Sequence, residues 1–220
     1  MPMNQVQVGA PSNVSAGDGT IANQLGGRNA EAIQAELHGK YYTQTYRNKM
    51  WSACNFTQLA VPIFATNATP RFAIFNPPGN PFNVIPVRLN ITHTATSGVA
   101  GSIGYSYISN VPALVGTAAP VSAATTGTIP SGMVGQAYTG QVIFCTSATI
   151  SGTTPYDLKQ LRYANVSLGA PATSSTNFYS LYEDFEGDMI IPPGTLWCLT
   201  ASTAVAFLSN TTLVAYEAPL

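Results

Sequence analysis

The chain has 220 residues and a formal net charge of −1, and Asp, Glu, Lys and Arg together make up only 8% of it, where about 25% is usual. That length is enough for one β domain with a sizeable core. The near-neutral balance excludes a bulk electrostatic pull toward nucleic acid or anionic lipid, and no apolar run reaches the roughly 18 residues of a membrane-spanning helix.

The first residues, 1 to about 28, show no sustained hydrophobic period and are rich in Gly, Asn and Ser. They read as an extended arm that cannot fold alone. They contain no charged n-region followed by an apolar h-region, so no secretory signal is expected.

The segment "NAEAIQAELHGK" follows. Asn29 suits an N-cap, Ile33 and Leu37 lie four apart on one face, and Gly39 stands where a helix stops. A short helix is expected over about 29–38. It is marginal in isolation and must dock.

Next comes "LHGKYYTQTYRNKMW", residues 37–51, which interleaves Lys40, Arg47 and Lys49 with Tyr41, Tyr42, Tyr46 and Trp51. Basic residues between aromatics can hold nucleic acid by phosphate contact plus stacking. Three charges with no wider basic face are too few for that, so no direct nucleic-acid contact is expected. A bland alternative is a linker whose tyrosines cover one end of the domain. The preferred reading is an inter-subunit contact through Lys40, Tyr41, Tyr42, Tyr46, Arg47 and Trp51, because Tyr, Trp and Arg are enriched where proteins bind tightly.

From about residue 51 the signals are β. Short apolar or alternating runs are separated by Asn, Pro and Gly clusters such as "NPPGNP" at 76–81. In "VIPVRLNITHT", Val87, Leu89 and Ile91 alternate with Arg88, Asn90 and Thr92, the pattern of a half-buried strand. Residues 111–135 read as a long, small-residue, Pro- and Gly-punctuated connection of the kind that carries function or interface. "IPPGT" at 191–195 is a turn, followed by two closing strands. Eight to ten strands with no helical pattern between them predict an antiparallel jelly-roll-like sandwich, all-β, over 51–220, carrying the arm and short helix of 1–50.

Charge is distributed unevenly. Between Arg88 and Asp157 there is no Asp, Glu, Lys or Arg. Surface charge normally keeps soluble monomers apart, so such a stretch points to a surface covered by other subunits.

Catalytic signals are missing from the sequence. His38 and His93 stand without spaced ligand partners, and there is no nucleophile elbow, phosphate loop or zinc-protease motif. The three cysteines, Cys54, Cys145 and Cys198, are too scattered for a disulfide framework or a zinc site. They read as buried or half-buried thiols of a reducing compartment. One acidic group, Glu183, Asp184, Glu186 and Asp188, could hold a hard cation through oxygen ligands. It reads first as a solvated turn, and alternatively as a partner for basic residues of a neighbouring subunit. No cofactor is expected.

"ELHGKYYTQTYRNKMWSA" and "IPPGTLWCLTASTAVAF" resemble segments of virion structural proteins of tailed bacteriophages, and the β domain is similar to jelly rolls that phages use as capsid decoration (cement) proteins. The resemblance covers the helix-to-strand junction and the last 30 or so residues, not the middle. It implies a non-enzymatic virion component made in the host cytoplasm. The preferred placement is on the capsid surface, in contact with the major capsid protein and with copies of itself as a homodimer or homotrimer. The alternative it leaves open is a tail or fibre module whose uncharged segment 101–140 binds a host-surface receptor. A head- or tail-completion component is a third reading.

Overall fold

The computed structural model describes residues 6–8, 24–26, 40–61, 69–95, 101–114, 121–150, 156–164, 180–201 and 207–220. The chain divides into an N-terminal unit, Met1–Tyr42, and a β unit, Thr43–Leu220. The β unit thus begins earlier than the boundary expected between residues 50 and 51.

In the N-terminal unit, β1 (Val6–Val8) pairs in parallel with β2 (Gln24–Gly26). This ribbon was not foreseen in the arm. The helix expected at about 29–38 lies outside the described residues. A different, shorter helix, α1, spans Tyr42–Tyr46, inside a stretch that lacks strong helix formers. It ends at Asn48, whose φ of 56° is left-handed. The Asn48 amide donates to the Thr45 carbonyl and the Lys49 amide to the Gln44 carbonyl, so tertiary context and a left-handed cap hold the turn where propensity alone would not.

Among the described residues ten strands build the β unit: β3 (Met50–Val61), β4 (Ala73–Asn76), β5 (Phe82–Ala95), β6 (Gly101–Ile108), β7 (Val121–Thr126), β8 (Ile143–Ile150), β9 (Tyr156–Ala164), β10 (Ser180–Asp184), β11 (Thr195–Ala201) and β12 (Phe207–Pro219). They form two antiparallel sheets, ordered β10-β5-β12-β3 and β7-β8-β4-β11-β6-β9. With the β7–β8 pair set aside, the remaining eight strands alternate between the sheets except that β6 and β9 are neighbours in one sheet. In chain order they pair as first–last–third–sixth and second–seventh–fourth–fifth, the strand order of a jelly roll. The expected all-β antiparallel sandwich is therefore what the chain adopts. The β7–β8 pair is an addition to one edge. Strand β7 falls within the segment expected to be a loop, because Ser, Ala and Thr give it little apolar signature.

Alternation on β5 is as read. Val87, Leu89 and Ile91 are buried, while Arg88 and Asn90 are exposed. The inner faces meet in one core that includes Trp51, Leu89 and Leu213 from one sheet and Ile74, Phe144, Trp197 and Leu199 from the other. Phe72 packs against Phe144 and Trp197 with centroids 5.0 and 6.4 Å apart, within the range of favourable tilted pairs. The outer face of the six-stranded sheet carries a second cluster, including Phe75, Cys145, Leu196 and Cys198, against which Val111 and Leu114 pack. Strand β11 is consequently buried along its whole length, which is why it reads as an unbroken apolar run rather than an alternating one.

A buried polar plug fixes the turn after β4. Asn76 donates to the carbonyls of Phe82 (3.0 Å) and Ile191 (2.9 Å) and accepts from Asn80 Nδ2 at 2.7 Å. Backbone bonds between Val84 and Ile191 run both ways, at 3.0 and 2.8 Å, and the Gly194 amide donates to the Asn76 carbonyl. These bonds satisfy side-chain and backbone groups that would otherwise be orphaned at the turn. They also hold Ile191, and so the connection from β10 to β11, against the end of β5.

Candidate functional site

The basic–aromatic stretch falls partly in each unit. Lys40, Tyr41 and Tyr42 belong to the N-terminal unit, where the Lys40 ammonium stands 5.4 Å from the centroid of the Tyr41 ring. Tyr42 and Tyr46, at the two ends of α1, are 45% and 59% exposed, and Arg47 is exposed. Trp51 corrects the expectation. It is fully buried on β3 and its ring tilts against Tyr138 at 6.0 Å. An indole in the core cannot anchor a neighbouring subunit. The buried alternation Trp51, Ala53, Asn55 was readable in the sequence as an inward face.

Asn48 and β3 pin a second element. The Asn48 side chain donates to the Ala137 carbonyl at 2.9 Å and accepts from the Ser131 hydroxyl. The Gly132 amide donates to the Met50 carbonyl at 2.7 Å and the Ser52 amide to Pro130 at 3.1 Å. Pro130 and Ala137 are bridged, closing a tongue whose tip turns at Met133–Gln136 with Gly135 at φ 87°. Val134 at that tip is 98% exposed. Residues 125–140, which contain the tongue, hold no charged residue.

Near the base of the tongue a polar network closes the core. Tyr138 Oη donates to Glu217 Oε1 at 2.7 Å, and Lys49 Nζ lies 3.4 Å from Glu217 Oε2 and 3.6 Å from the centroid of Phe82. Burial, reinforced by the Glu217 hydrogen bond and charge, pushes the Tyr138 phenol well above its ordinary value. Burial likewise raises the Cys145 thiol to about 12 and the Cys198 thiol to about 11. Both are neutral, inert thiols at physiological pH.

The acidic residues do not converge. Asp184 pairs with Arg88 at 3.3 Å and accepts from the Tyr182 hydroxyl at 3.1 Å. Phe185 between the acids is buried, and Glu186 (φ 48°) and Gly187 (φ 92°) form the tip of a tight turn closed by the Asp188 amide on the Phe185 carbonyl. Among the described residues no three of His, Cys, Asp or Glu are grouped to hold a metal ion. Of these acids Asp184, Glu186 and Asp188 are exposed and Glu183 is half-buried.

A cleft of about 440 Å³ is lined by Tyr105 and Tyr107 of β6, Ser109, Leu158 of β9, residues 188–192, and Thr195 and Trp197 of β11. That volume is in the range of small-ligand sites. Sequence reading missed it because its walls come from three distant segments. The only hint was the aromatic alternation "GYSY" at 104–107. Among the described residues that line it, Asp188 is the single acid, with no histidine, lysine or cysteine beside it.

Comparison with protein-family models and with curated proteins finds no match.

Proposed function

We propose that this chain is a non-enzymatic structural protein of a virion, most suited to decorating or cementing a capsid by bridging neighbouring subunits. The observation that carries the reading is the neutral tongue. It presents an aliphatic side chain, Val134, at 98% exposure within a stretch of chain that has no charge from residue 89 to 156. A single exposed valine is ordinary on a monomer; what sets this tip apart is that no charge on the same stretch of chain keeps a second molecule away. The tongue is pinned to β3 through Asn48, directly after exposed Tyr46 and Arg47, so aromatic, basic and aliphatic groups are held on one rigid base. Burial of that surface on the major capsid protein would supply most of the affinity.

Copies of the chain have a second place to meet. Strand β7 is an edge of the six-stranded sheet, and its sequence, VSAATT, has no charge or proline. The opposite edge, β9, carries Asp157, Lys159 and Arg162. Edges are normally guarded by such residues. An unguarded β7 supports antiparallel pairing with a second copy about a two-fold axis.

The deciding measurement is the copy number in purified particles by quantitative mass spectrometry. A number that scales with the capsid lattice is expected. A number set by a single vertex or tail would overturn decoration and favour a tail or fibre module that binds a host-surface receptor. Val134→Asp should abolish binding to undecorated capsids while leaving the melting temperature unchanged. Full occupancy by that variant would remove the tongue from the interface.

A further inference from the structure

We propose that the open edge of β3 is completed by the β1–β2 ribbon of a second copy of this chain. The contact is separate from the one at β7 and does not depend on where the chain sits. Three observations carry it.

The first is an edge left partly covered. Strand β3 is the outer strand of the four-stranded sheet. The tongue pairs with its first residues, through the Ser52 amide on Pro130, the Gly132 amide on the Met50 carbonyl, and the bridge of Trp51 with Ser131. Beyond Ser52, among the described residues, no strand pairs with β3 on that side. Residues 53–61 hold no charge and no proline, whereas the sheet's opposite edge, β10, carries Glu183 and Asp184. Open edges are ordinarily guarded by such residues. Backbone groups alternate sides along a strand. The Ser52 amide faces the tongue, so the N–H and C=O of Cys54 face the open edge.

The second is the shape of the space beside that edge. Among the described residues the six-stranded sheet is wider than the four-stranded one by the pair β7–β8. That pair extends on the side of β3, because the tongue that joins β7 to β8 lies on β3. Two strands span about 10 Å. Thr149 on β8 alternates with Ala148 and Ile150 of the outer cluster and so faces inward. It is only half-buried, while the inward Ile74 on neighbouring β4 is fully buried. A slot two strands wide therefore lies beside β3 and under β7–β8.

The third is a strand pair of matching size. Strands β1 and β2 form a two-stranded sheet of their own. Their sequences, VQV and QLG, have no charge or proline, and each strand has 3 residues. The regular part of the open edge has the same length. It is residues 53–55, between the tongue at Ser52 and the register shift that follows Asn55.

These features select the occupant. A second copy cannot pair its own β3 antiparallel there about a two-fold axis, because the β7–β8 overhangs of the two copies would fill the same space. A ribbon without a second layer fits, and it brings the four-stranded sheet to the width of its partner. Within one copy the ribbon is a separate sheet and β3 remains an edge, so the ribbon that fills the slot is another copy's.

The test uses the full chain with a benzophenone cross-linker in place of Gln7. Light and heavy isotopic forms are mixed in equal amounts, concentrated and irradiated. Trypsin cuts after Arg28, Lys49 and Arg71, giving peptide 1–28, which holds both ribbon strands, and peptide 50–71, which holds β3. Links between these two peptides are expected, with light–heavy pairs as frequent as same-isotope pairs. Without the cross-linker, Gln7→Pro removes a ladder donor from β1. It should make the Cys54 amide exchange with solvent more than about tenfold faster than in the native chain. The Leu213 amide, on β12 between β3 and β5, should exchange as before. If Gln7→Pro speeds Leu213 as well, the isotopic cross-link decides. The proposal is overturned if no link joins peptides 1–28 and 50–71, if every such link joins copies of one isotope, or if Cys54 exchange is unchanged in Gln7→Pro.

Discussion

Glu217 sits on β12 with 2% of its surface exposed, hydrogen-bonded to Tyr138 and ion-paired with Lys49. Replacing it with alanine would strand a part-buried phenol and an ammonium packed on Phe82. The expected loss is about 2–4 kcal/mol, read from the urea midpoint with an unchanged slope. Gly140→Ala should act through the same site, because a Cβ there would collide with Tyr138 Oη and Glu217 Oε1. Tyr138 and two buried thiols outside the network also set a pH dependence. Tyr138, Cys145 and Cys198 all hold their protons above the ordinary values of 10.0 and 9.0. Above those values the unfolded chain loses protons that the folded chain keeps, so the folded state binds more protons and stability must fall as pH rises. Stability from these groups is fully present at neutral pH and should decline from about pH 9 upward. Denaturation midpoints measured across that range check it, and Tyr138→Phe should remove the part that sets in above about pH 10. None of this was legible in the sequence. Glu217 stands in "VAYEAP" as an ordinary alternating polar residue, and its partners come from residues 49 and 138.

Elements divide by how their side chains partition. Strand β5 was legible because one face meets the core and the other meets solvent, so burial imprints a period of two on the sequence. Strand β11 was legible as an apolar run because both its faces are covered. Helix α1 and strand β7 were not, since YTQTY and VSAATT carry no strong propensity, and their neighbours in the fold decide their state. Trp51 was misread for a related reason. Its basic neighbours in sequence drew attention to a surface role, while the strand that begins at Met50 turns it inward. The β7 edge makes its own prediction. Thr125 is exposed on that strand, and Thr125→Lys would place a charge where an approaching strand must pair. Self-association measured by sedimentation should weaken, with no loss in melting temperature. Unchanged association would place the contact between copies elsewhere.

At the scale of the whole molecule, the question is where the independently stable unit begins. Composition put the boundary after residue 50, because the arm, the helix signal and the basic–aromatic stretch all precede it. Contacts put it at Thr43. Residues 43–50 supply the α1 turn, Asn48 on the tongue, Lys49 on Glu217 and Phe82, and Met50, whose carbonyl takes the Gly132 amide. A chain of residues 43–220 should therefore melt as the full chain does. A chain of residues 51–220 leaves Glu217 buried without its cation and the tongue without three of the four hydrogen bonds that tie it down. The cost is about 2–4 kcal/mol. At about 2–4 °C per kcal/mol for a chain of this size, its melting temperature should drop by at least about 4 °C. Equal melting of the two truncations would show that 43–50 is not part of the β unit. If the predicted drop occurs, the tongue is loosened as well, and the shorter chain should bind capsids less well than the longer one even where both are folded.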